Sequence, residues 1–253
     1  MAITVASLAG TPYEIPPTPA VPQVHTAPPV FAYDWNAARV TVATSPSTAG
    51  RTKLTLTLNA AGDTIFLPFQ QNEVHSVYID TAAIVAAGGV TGFLTPNLSG
   101  CRIYIDKVVG TNDLVIYHAN ALASGAYPGP VNPLNMDKET GIRAQALDTQ
   151  YRNSKAYWTT PAPGPALNLT LVDALGATTY YTSAVRKVQS EQAAGRTNVD
   201  FWGGVSVVGE LVPVAGGGWR WQIGWQTYGD CTYTGKTIAG VNMQVLTTGQ
   251  LPT

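Results

Sequence analysis

Arg102-Ile103-Tyr104-Ile105-Asp106-Lys107-Val108-Val109, then Gly110-Thr111-Asn112, then Asp113-Leu114-Val115-Ile116-Tyr117-His118-Ala119: the reading of this stretch decides the fold. Both runs are rich in β-branched and aromatic residues and read as strands. Gly110-Thr111 places glycine first, as a two-residue type II′ turn requires, so the runs form an antiparallel hairpin. Period two puts Cys101, Ile103 and Ile105 on one face, opposite Arg102, Tyr104 and Asp106. Leu114, Ile116 and His118 share a face in the second strand, and both apolar faces look into one core. The two-residue turn sets Ile103 opposite His118 and leaves Cys101 on the diagonal, about 7–8 Å away between backbones. A longer turn through Asn112 would move this register.

Working outward, residues 39–42 and 53–58 alternate cleanly, and 64–69 and 74–79 are further strands. Residues 80–87 suit a short helix stopped by Gly88-Gly89. A Pro/Gly/Asn-rich loop covers 124–135. Residues 137–158 then carry Ile142, Ala146, Leu147 and Tyr151 near helical spacing. A strand at 166–172 precedes a second helix at 183–194, with Ser183 as N-cap and Gly195 as stop. Residues 201–214 and 219–228 flank Gly216-Gly217-Gly218 as a long hairpin, whose Trp219, Trp221 and Trp225 pack the sheet. A last strand is expected at 241–246. Without regular βαβ alternation, this pattern predicts an α+β fold, a mixed α/β sandwich of β-sheets with flanking helices.

Pro12, Pro16, Pro17, Pro19, Pro22, Pro28 and Pro29 make the start of the chain an extended segment rather than a helix or central strand. The expected organisation is a proline-rich N-terminal arm, 1–30, and a single catalytic domain, 31–253. Over 253 residues, hydrophobic side chains make up 45% and charged ones 11%, which describes a folded globule and not a disordered chain. Net charge is −1 with no basic run, so nucleic acid is not an expected partner. No apolar run long enough to span a bilayer is present, so no membrane insertion is expected. The start lacks the features of a classical secretory signal. Cys101 and Cys231 are too few for a disulfide framework, and no cysteine–histidine spacing suits a metal.

The chemistry concentrates at Phe93-Leu94-Thr95-Pro96-Asn97-Leu98-Ser99-Gly100-Cys101, read as a turn-rich loop that delivers Cys101 to a strand start. Glycine before cysteine lets backbone approach a ligand closely. A free thiol is mostly protonated at neutral pH, so a nucleophilic cysteine needs a neighbouring base. His118 on the same face supplies one, and the loop through Ser99 and Gly100 can supply backbone donors for an oxyanion. Thr95 is the proposed group orienting the imidazole. Attack on a side-chain carboxamide would release ammonia and convert Gln to Glu; interception by an amine would give transglutamination. No cofactor or metal is required.

Leu98-Ser99-Gly100-Cys101 resembles the Leu-x-Gly-Cys signature of cysteine-dependent glutamine deamidase toxins. That group includes the catalytic domain of cytotoxic necrotizing factor and the Burkholderia lethal factor. His118 occupies the place of the family histidine after a strand and turn, and Thr95 matches a threonine six positions before the cysteine. The resemblance covers roughly residues 93–120, and the Cys101–His118 separation is longer than in the relatives. It implies an α/β sandwich and a host-protein glutamine as substrate, in a translation-initiation helicase or a Rho-type GTPase. It also implies a virulence factor made in the bacterial cytosol, leaving by a route without a classical signal peptide, and acting in the host cytosol.

Other readings stay open. A lone cysteine on an apolar strand is normally inert packing, and a lone histidine a hydrogen-bonded core residue. Cys231 reads as a structural thiol. Low charge with abundant Thr, Gly and Ala also suits a non-enzymatic β-rich surface, capsid or adhesion protein. A peptidase or acyltransferase would use the same Cys–His pair.

Overall fold

The computed structural model describes residues 3–10, 12–46, 50–98, 100–121, 143–196, 198–233 and 244–253. Among them, strands numbered in chain order form two sheets. One has eight strands in the order β1 (Tyr13–Glu14), β5 (Thr52–Leu58), β4 (Arg39–Pro46), β6 (Thr64–Phe66), β8 (Gly92–Leu98), β12 (Val199–Pro213), β13 (Trp219–Tyr233), β14 (Gln244–Leu251). The other has six, in the order β11 (Leu169–Leu175), β9 (Arg102–Val108), β10 (Leu114–Ala119), β7 (Val74–Ile79), β3 (Val30–Asp34), β2 (His25–Ala27). Helices α1 (Thr81–Ala87), α2 (Ala144–Thr159), α3 (Ala177–Tyr180) and α4 (Thr182–Ala193) flank them. The architecture is the expected α+β sandwich.

The six-stranded sheet is covered on both faces, which is why every residue of β10 and residues 103–106 of β9 are buried. Ile103, Ile105, Leu114 and Ile116 join the cluster that also holds Phe93, Val205, Val207 and Ile223 of the eight-stranded sheet. Tyr104, Val115 and Tyr117 face α2 instead. That helix presents Leu147, Tyr151, Ser154 and Trp158 as one buried stripe at helical spacing. Beneath it, the buried Asp106 carboxylate accepts from Tyr117 (2.9 Å), Tyr151 (2.8 Å) and Lys155 (3.0 Å).

The proline-rich segment packs along the domain. Ile3, Val5, Leu8, Tyr13, Ile15 and Val21 are buried in the inter-sheet core. Buried Gln226 fastens it at two points: Nε2 donates to Leu8 O (2.6 Å), and Oε1 accepts from Tyr13 N–H (2.8 Å).

Several expectations need correction. Residues 92–98 are strand β8, not loop, because they find partners in β6 and β12. Pro96, which has no N–H, falls where the β8–β12 register shifts, between the Thr95↔Val207 and Leu98↔Val205 pairs. The turn in the β9–β10 hairpin is longer than two residues. Val108 N–H bonds Asp113 O, and Thr111 N–H bonds Val108 O, so the connection is 109–112 with Gly110 at positive φ. Both turns keep the same residue sum across the ladder, so Ile103 still faces His118.

The strand expected at 166–172 runs Leu169–Leu175, after a stretch in which Pro161 and Pro165 bridge and Ala166 takes positive φ. The final strand extends from Gln244 to Leu251 because β13 offers a partner along that length. Ser183 is not an N-cap: α4 follows α3 almost without a break, and the Ser183 hydroxyl reaches back to Tyr180 O at 3.5 Å. Trp221 and Trp225 pack as expected, but Trp219 is 39% exposed. The loop at 124–135 and the helix start at 137–142 lie outside the described residues.

Candidate active site

The chain crosses from one sheet to the other between Leu98 and Arg102, and Cys101 sits at that crossing. Thr95 therefore belongs to the eight-stranded sheet and His118 to the six-stranded one. Thr95 Oγ1 and His118 Nδ1 meet in the buried space between them at 2.6 Å. Across the six-stranded sheet, Phe31, His75, His118 and Ile103 form one row, each directly opposite the next. Cys101 lies two residues before Ile103, diagonal to His118, and its side chain joins the same inter-sheet cluster.

Burial dominates the electrostatics. His118 is fully buried, and removal from water lowers its pKa to about 3, with His75 adding a smaller push in the same direction. The imidazole is neutral at pH 7. Its Nε2 is buried with no hydrogen-bond partner among the described residues. Phe69, partly exposed, stacks on the ring at 4.9 Å between centroids. If Nδ1 carries the proton and donates to Thr95, the Nε2 lone pair is left to take a thiol proton.

Tyr180, on α3, fixes the nucleophile segment. Its hydroxyl accepts from Gly100 N–H (3.0 Å) and donates to Cys101 O (2.9 Å). Gly100 has φ +99°, and a Cβ there would lie 2.7 Å from an Arg143 guanidinium nitrogen. Conformation therefore requires glycine here, and a Cβ would in addition make the Arg143 guanidinium shift. The Gly100 amide, expected as an oxyanion donor, is held by Tyr180 in this closed arrangement. Ser99 lies outside the described residues.

Buried Tyr33 and His75 and the partly exposed Glu73 form a second polar chain beside the site. Tyr33 Oη meets His75 Nδ1 at 2.6 Å, and Glu73 Oε2 meets His75 Nε2 at 2.9 Å. Burial nevertheless lowers His75 to about 4. Cys231 and Cys101 are both buried, and burial pushes the Cys231 thiol up against the opposing pull of Lys187. No group of acidic, cysteine or histidine side chains among the described residues is arranged to hold a metal. No described helix is long and apolar enough to cross a membrane.

Sequence reasoning missed Tyr180, Phe69 and Arg143, which come from segments with no motif and reach the site only through tertiary packing. Comparison with protein-family models finds no match, and comparison with curated proteins finds none either.

Proposed function

We propose that this chain is a toxin-like protein glutamine deamidase acting through a Cys101–His118 thioester mechanism. One observation carries the reading: the Thr95–His118 bond between the two sheets leaves a buried Nε2 with no hydrogen-bond partner among the described residues, Cys101 Sγ included, on the face that bears Cys101. The Leu98-Ser99-Gly100-Cys101 signature supplies the substrate class, a glutamine of a host protein, in a translation-initiation helicase or Rho-type GTPase encountered in the host cytosol.

In this mechanism the Cys101 thiol gives its proton to His118 Nε2, and sulfur bonds to the carboxamide carbon. The tetrahedral intermediate collapses as the C–N bond breaks, and the imidazolium returns the proton to departing ammonia. Water, deprotonated by His118, adds to the thioester; the C–S bond breaks and Glu and the thiol result. Thr95 orients the imidazole. Cys101 is only 2% exposed and His118 fully buried, so substrate binding must part the cover over the site.

That same closure favours a second reading, in which Cys101 is core packing of a non-enzymatic β-rich protein. Comparison of the protein with Cys101→Ala in eukaryotic cell extract separates the two. Ammonia release and Gln-to-Glu conversion at a discrete site, absent with the variant, are expected. Absence of conversion together with an unreactive thiol in the folded protein would sink the deamidase. Peptide-bond cleavage would keep the Cys–His pair and assign it to a peptidase.

A further inference from the structure

On the opposite face of the six-stranded sheet from Cys101 and His118, a cleft of about 300 Å³ opens beside the end of α2. Its lining includes Asp34 and Tyr78, which are directly paired across β3 and β7. Tyr157 and Trp158, from the last turn of α2, line it together with Pro163 and Pro165. Trp158 is anchored by its indole N–H on Ser76 Oγ (2.8 Å) and meets Tyr157 edge to face at 4.9 Å between centroids. Tyr78 lies against Trp158 at 6.1 Å, and its hydroxyl donates to Asp113 (3.2 Å). Tyr157 also stacks on His25 at 4.2 Å between centroids, which covers one of its faces, so the aromatic walls are held in place before anything binds.

Among the described residues of this lining Asp34 is the charged one, with no Lys or Arg beside it. Its Oδ1 accepts the Asn36 N–H (2.8 Å), and among the described residues it has no cationic partner. Aromatic faces carry negative quadrupole density, and a carboxylate in the lining adds negative charge. The complement of such a site is a cation with flat, weakly hydrated surface. A guanidinium fits both requirements, stacking on rings while its planar fork meets a carboxylate; an ammonium is more strongly hydrated and lacks the fork.

We infer that the Asp34–Tyr78–Tyr157–Trp158 cleft binds an arginine side chain displayed by a partner protein. The inference stands on this cleft alone and does not depend on the deamidase reading.

The test is an NMR titration of the isotope-labelled protein with Nα-acetyl-arginine amide, following the amides of Tyr157, Trp158 and Gly164 and the Trp158 indole. Nα-acetyl-citrulline amide has nearly the same shape without the charge. Saturable shifts with the arginine probe are expected, weakened roughly five- to tenfold by citrulline and by Asp34→Asn. Tyr157→Ala, which removes one wall, is expected to weaken the arginine probe similarly. Unchanged thermal unfolding of Asp34→Asn shows that the site, not the fold, was altered; if that variant unfolds early, the citrulline comparison on the unsubstituted protein decides. Equal binding of the citrulline probe, or no saturable shift with arginine, overturns the inference. Binding of free arginine but not the capped form also overturns it, by assigning the cleft to the free amino acid.

Discussion

His75 and His118 stand directly opposite each other on β7 and β10, and both are buried. Two imidazolium ions could not share that position in a low-dielectric core, and both rings are neutral at pH 7. In the unfolded chain each takes up a proton near the ordinary value of 6.5, whereas in the folded chain His75 does so near 4 and His118 near 3. Between those values the unfolded state binds more protons. The stability is therefore fully present above about 6.5 and is lost as pH falls towards 4 and then 3. Urea unfolding at pH 7.5 and pH 5 should show a lower midpoint at pH 5, with a loss on the order of a few kcal/mol. A midpoint independent of pH across this window would contradict the buried neutral pair.

Thr95→Val keeps the side-chain shape but removes the hydroxyl at His118 Nδ1. An unpartnered buried ring nitrogen costs about 1–3 kcal/mol, read as an earlier denaturation midpoint. Deamidation, measured as ammonia release on the target found with the parent protein, should fall on the order of 10- to 100-fold, because ring orientation and tautomer are no longer fixed. Full activity in this variant would remove Thr95 from the mechanism.

Tyr180→Phe leaves the Gly100 N–H without its acceptor and the Cys101 carbonyl without its donor. Hydrogen exchange at the Gly100 amide should accelerate, and stability should drop by about 1–3 kcal/mol. Gly100→Ala should be worse tolerated, since alanine is strained at φ +99° and the Arg143 guanidinium must also move aside.

Asp106→Ala strips one acceptor from two tyrosine hydroxyls and the Lys155 ammonium under α2. Each buried tyrosine hydroxyl that loses its acceptor costs about 1–3 kcal/mol, the partly exposed Lys155 ammonium can turn to water, and thermal unfolding is the readout. Because this network lies across the sheet from Cys101, thiol reactivity of the folded fraction should not change.

Phe69→Ala uncovers the imidazole on which Phe69 stacks. Water then stabilises the charged form, so the His118 pKa should rise from about 3 towards the ordinary 6.5, followed by NMR titration of the ring. A pKa that stays put would mean that Phe69 is not the cover over the site.

Local rules carried the sequence a long way. The alternation of Ile103, Ile105, Leu114, Ile116 and His118 fixed which side chains share a face, since a strand repeats every two residues. Residue parity across the β9–β10 turn set Ile103 against His118, and the longer connection preserved it. Asp80 caps α1 through its side chain on Ala83 N–H, and Gly88 ends that helix at positive φ, so its bounds were legible as well. Periodicity names a face but not what lies across the core from it. Only the packing of the two sheets turned residues 92–98 from expected loop into a central strand and brought Thr95 to His118. Tyr180, Phe69 and Arg143 reached the Cys101 segment by the same route, from positions without local signature. Tertiary burial also decided protonation, because the desolvation that makes both histidines neutral depends on every element closing over them, and no spacing along the chain encodes it.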